Sequence, residues 1–165
     1  MTKIVKSSRH QKIIGNYSEA LVCNWLSRSG WEVAIVDHTG IDIVAYNPKL
    51  RRRLGISVKS RTRNVGKENT SVTLFQKDEE SKHKLTKACK AFACEPWIAI
   101  YVETLDAAEV YMIALDNFRR KYSGSGRSGN QWRMSESFRK KYRIDPEVKY
   151  IRIKFETDNW GWRKQ

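Results

Sequence analysis

The chain has 165 residues, 40% of them hydrophobic, and 32 Lys and Arg against 18 Asp and Glu give a formal net charge of +14. That length suits one domain with its own core, and no run approaches the about 18 to 20 apolar residues of a membrane span. The charge points to a polyanionic partner, nucleic acid first; three cysteines (Cys23, Cys89, Cys94) with no CxxC pair argue against a disulfide framework or zinc knuckle and for a reducing cytoplasm.

After a basic start without a secretory signal, GNYSEALVCNWLSRSG has helical spacing through Leu21, Val22, Trp25 and Leu26. Asn16 is the expected N-cap and Gly30 the stop. Three short β-rich runs follow, WEVAIVD (31–37), IDIVAY (41–46) and GISVKS (55–60), with NPKLRRR as the turn between the last two. SVTLF (71–75) is expected as a further strand or an extended edge. Residues 78–94 form a second expected helix, with Asp78 as cap and Leu85, Ala88, Cys89, Phe92 and Ala93 on one apolar face. WIAIYVE (97–103) and EVYMIALD (109–116) are expected strands, NFRRKY a short helix, and SGSGRSGN (123–130) a loop. A basic helix at SESFRKKY, a strand at KYIRIKF and the tail WGWRKQ complete the order. This order predicts an α/β fold: one domain with a mixed β-sheet flanked by helices, a basic N-terminal arm and an aromatic-basic C-terminal tail.

Charges inside strand-like runs call for a partner or a function. Asp42 opens one run and Lys59 sits inside the next, on the same strand face as Ser57. Paired through the NPKLRRR turn, the two runs bring Asp42 and Lys59 to one sheet end. Glu19, on the first helix, can add a second acid there.

Glu19 in GNYSEALVCNWL, Asp42 in TGIDIVA and Lys59 at the end of SVK together resemble the PD-(D/E)XK nuclease superfamily. That superfamily includes archaeal Holliday-junction resolvases and many restriction endonucleases. The resemblance implies a restriction-endonuclease-like core and a metal-dependent deoxyribonuclease. It implies magnesium, or manganese in its place, held by Glu19 and Asp42, with Lys59 beside the attacking water. A homodimer is implied as well, because two strands must be cut. One departure stands out: the family's metal-binding Glu is replaced by Ser57, and Glu68, Glu79 and Glu80 are candidates to supply the missing acid.

The same residues also fit structural roles. Glu19, three residues after Asn16, fits the return half of a capping box. Asp42 fits a turn after Gly40, Lys59 a guard against edge-strand aggregation, and Ser57 a filler with no activating base nearby. His10, His38 and His83 lack metal-ligand spacing, and His38 fits a loop. Arg51, Arg52, Arg53, Arg61, Arg63 and Lys67 are the expected phosphate contacts, and Trp160 and Trp162 are candidates to stack on unpaired bases. The expected function is a magnesium-dependent DNA endonuclease. The alternative is a nucleic-acid-binding module on the same fold, its catalysis lost with the Glu at position 57.

Overall fold

A computed structural model describes residues 3–75, 79–124 and 130–156. Its first helix, α1 (His10–Arg28), starts well before the expected cap. The cause is a stripe of period four, Ile14, Ser18, Val22 and Leu26, whose members are all buried. Asn16 therefore lies exposed inside the helix and Arg9 stands at its N-cap, so the capping-box role for Glu19 is gone. Gly30 ends the helix as expected, with φ +81°. Its N–H donates to Ser27 O (3.0 Å) and that of Trp31 to Leu26 O (3.2 Å), the paired bonds of a Schellman stop.

Strands β1 (Glu32–His38), β2 (Ile41–Asn47) and β3 (Arg52–Thr62) form an antiparallel meander. The turn takes residues 48–51, so Arg52 and Arg53 belong to β3. His38 closes β1 as a strand residue, its ring edge-on to Phe92 at 5.1 Å. The SVTLF run contributes only β4 (Val72–Thr73). Helix α2 (Glu79–Ala91) carries the chain to β5 (Glu95–Glu103), which lies parallel to β3. The expected cap, Asp78, lies outside the described residues. Leu85, Ala88 and Cys89 are buried as expected, whereas Phe92 falls beyond the helix end and is exposed.

Next come β6 (Ala107–Ala114), α3 (Leu115–Lys121), β7 (Gln131–Trp132), α4 (Glu136–Ile144) and β8 (Lys149–Lys154). The main sheet has six strands in the order β1-β2-β3-β5-β6-β8, and β4 with β7 makes a separate two-stranded ribbon. This is the expected mixed sheet flanked by helices. Period-two alternation sends Ile98, Ile100 and Val102 to one face with α2, α3 and Trp132, and Trp97, Ala99 and Tyr101 to the other with α1. Residues 125–129 of the expected loop and the tail with Trp160 and Trp162 lie outside the described residues. Among the described residues no helix is long and apolar enough to cross a membrane, and Cys23, Cys89 and Cys94 are free thiols.

Gly40 seats α2 on the sheet. It has φ +99°, and a Cβ there would lie 2.6 Å from the carbonyl carbon and oxygen of Lys84. Gly40→Ala adds backbone strain to a clash with helix backbone, so a loss of about 2–4 kcal/mol is expected. In a chain of this size that lowers Tm by roughly 5–15 °C. A melt matching the wild type would rule out the contact.

Candidate active site

The ladder between β2 and β3 ends at the pair Ile43↔Ile56. Beyond it β3 runs on, paired with β5 as far as Thr62, while β2 turns away towards β1. Asp42 lies in this fork. Its Oδ2 accepts the Val58 N–H at 2.6 Å and the Ser57 hydroxyl at 3.3 Å. The carboxylate thus replaces the carbonyl that a continuing ladder would supply, satisfies a backbone donor of β3, and lies in the plane of the sheet. From there its charge acts on Glu19 of α1.

Glu19 reaches the fork from α1. Burial pushes its carboxyl above the usual range, the negative charge of Asp42 pushes it further, and Lys59 acts in the opposite sense. Two acids and one lysine therefore share one electrostatic environment, the like charges only partly offset. Among the described residues no hydrogen bond or ion pair holds the Lys59 ammonium. Ser57 is buried at 7% exposure and touches Asp42 through its hydroxyl. No group of three or more His, Cys, Asp or Glu among the described residues is arranged to hold a metal. Glu68 instead accepts the Gly66 N–H and lines a different cleft, with Glu109 and Arg152. Glu80 is exposed on the first turn of α2, and the side chain of Glu79 lies outside the described part.

Ser57 and Lys59, two residues apart on β3, line a cleft of about 430 Å³ with Arg61, Phe75 and Lys84. Sequence patterning did not point to Lys84 or Phe75. They come from α2 and from the segment after β4, and the long-range contact of Gly40 with Lys84 brings the first of them in.

The expected phosphate contacts divide into distinct groups. Arg61 lines the cleft while its Nη1 donates to Ser60 O. Arg63 acts as an internal staple: its Nη2 donates to Thr70 O at 3.2 Å and Ser71 O at 3.0 Å, fixing the loop that leads to β4. Lys67 is exposed on the neighbouring turn. Arg51, Arg52 and Arg53 lie at the opposite end of the β2–β3 hairpin, and the five residue steps from Arg52 to Ser57 span about 16 Å of strand. Arg52 is bound through two nitrogens to the Glu95 carboxylate and lies over Trp97. Arg53 donates to Phe92 O and lies over Tyr46, and Arg51 is exposed with φ 52°.

No protein-family model matches the chain, and no curated protein matches it. Among solved structures it is similar to the 1.6 Å structure of Archaeoglobus fulgidus Hjc, a Holliday junction resolvase from an archaeal hyperthermophile. The identity is 22% and the TM-score 0.40, over 55% of this chain and 64% of that one, which is less than two thirds of the resolvase's length.

Proposed function

We propose that the chain is a divalent-metal-dependent DNA nuclease that hydrolyses phosphodiester bonds, with Glu19, Asp42 and Lys59 as its centre. The observation that carries this is the meeting at the β2–β3 fork of two acids and a lysine that no hydrogen bond or ion pair among the described residues holds, beside a cationic cleft. A homodimer serves where both strands of a duplex must be cut.

The donor set fits magnesium, with manganese as a substitute. Both acids offer hard oxygen ligands, and one or two carboxylates with substrate phosphate oxygens suffice for a cation that retains several waters. The burial and like charge that raise Glu19 are conditions that a cation between the acids relieves. When bound, the metal supplies Lewis-acid polarisation of the phosphoryl oxygen and lowers the pKa of water. The protein groups do the rest. The Val58 N–H and the Ser57 hydroxyl fix the orientation of Asp42. Lys59 Nζ offsets the negative charge that gathers on the phosphoryl oxygens in the transition state. Arg61 and Lys84 hold the strand by its phosphates.

A non-catalytic DNA-binding module is the second reading. Ser57 favours it, because it stands where the resembling nucleases carry a metal-binding Glu and is bonded to Asp42. End-labelled duplex, nicked, flapped and four-way DNA, each with magnesium, manganese or EDTA, separate the two. Cleavage of at least one substrate with either metal, and none with EDTA, is expected. DNA that is bound but left intact under every condition supports the binding module instead.

A further inference from the structure

The cleft beside Lys59 offers more than phosphate binding requires. Its described lining sets three cations, Lys59, Arg61 and Lys84, beside Phe75 and Leu74, and includes no acid. A second cleft, by contrast, mixes Glu68, Asp106, Glu109 and Glu136 with arginines. Cations beside a half-buried phenyl ring suit a ligand that is anionic at one end and flat and apolar at the other. A nucleotide has both features, but it presents the face of its base only when unpaired and unstacked. In a continuous duplex every face is covered.

Size and rigidity agree. At about 430 Å³ the cleft falls at the small end of the ligand-site range, roughly 300–1,000 Å³, large enough for one nucleotide and too small for a duplex. The wall bearing Phe75 is held on three sides. β4 pairs with β7 through Val72↔Trp132, the Leu74 N–H donates to Asn130 O at 2.9 Å, and Arg63 fastens the preceding loop. Phe75 also packs against the core beneath it. A ring seated against the core in this way has less freedom to lose when a base stacks on it.

We infer that this cleft takes one unpaired nucleotide of the bound strand, its phosphate on Lys59, Arg61 and Lys84 and its base against Phe75. The inference rests on the proposed nuclease function for the identity of the strand, and it goes further by naming the substrate class: DNA with unpaired or splayed nucleotides rather than uninterrupted duplex.

The test is binding without metal. Fluorescence anisotropy in EDTA compares an intact duplex with the same sequence gapped to leave an unpaired 2-aminopurine. The wild type should bind the gapped DNA about 5- to 100-fold more tightly, the range of one base–aromatic stack, and should quench the 2-aminopurine. Phe75→Leu keeps apolar bulk against the core but removes the ring, so preference and quenching should both vanish. Phe75→Tyr should retain them. Lys84→Ala should weaken binding of the gapped DNA. Equal affinity of the wild type for both DNAs, or a preference that survives Phe75→Leu, overturns the inference. Failure of the nuclease reading looks different: a protein that prefers gapped DNA through Phe75 yet never cuts keeps this inference and loses catalysis. One that cuts DNA but binds gapped and intact duplex alike keeps catalysis and loses the inference.

Discussion

Replacing Asp42 with alanine is expected to lower metal-dependent cleavage by at least about 10³-fold, because a metal ion contributes several kcal/mol to a phosphoryl transition state. Asp42 has two tasks, and alanine removes both. It is one of two carboxylates available to a cation at the fork, and it accepts the Val58 N–H at 2.6 Å. The second task is structural: an unsatisfied, partly buried backbone donor costs about 1–3 kcal/mol, so some of the alanine effect would come through the fold. Asp42→Asn separates them. An asparagine oxygen still accepts from Val58 N–H and Ser57 Oγ, but it carries no charge to hold a cation. Near-complete loss in the Asn variant, with an unchanged melting temperature, assigns the effect to chemistry. Cleavage by Asp42→Ala at the wild-type rate removes the mechanism.

Lys59→Ala ranks second, with an expected loss of about 10²- to 10³-fold in kcat, the typical effect of removing one preorganised charge-stabilising group. No hydrogen bond or ion pair among the described residues holds this ammonium, so its removal strands no partner there and stability should change little. It also lowers the Glu19 carboxyl against the effects of burial and Asp42. Without it the negative charge of the two acids is less compensated, which should lower the magnesium concentration needed for half-maximal cleavage. Single-turnover cleavage across a magnesium titration reads both effects. A loss confined to DNA affinity, with kcat intact, would make Lys59 a phosphate contact only.

Much of this was legible from local pattern. Asp42 and Lys59 were conspicuous because they are charged residues in apolar runs, and the length of the turn between those runs fixed their pairing. The start of α1 was hidden because Asn16 resembles an N-cap, whereas Ile14 extends the buried stripe ahead of it and the tertiary contact prevails. β7 was invisible for a different reason: two residues cannot display a period, and Gln131–Trp132 pairs only with the equally short β4. Lys84 and Phe75 carry no local signal for a place beside Lys59, since only the folded chain brings them together. Arg63 has a role that charge alone does not reveal, because its Nη2 is held by the carbonyls of Thr70 and Ser71.

Thermal unfolding with and without magnesium tests most directly whether Glu19 and Asp42 hold a cation at the fork, since it needs neither a substrate nor turnover. At a magnesium concentration ten times Kd, binding to the folded state alone stabilises by about 1.4 kcal/mol. For a chain of this length that is a rise in Tm of roughly 3–6 °C. The wild type should show this rise, and Asp42→Asn, which retains the Val58 and Ser57 contacts but loses the charge, should show none. An unchanged wild-type Tm in saturating magnesium and manganese, or an equal rise in Asp42→Asn, would contradict a metal centre at these residues.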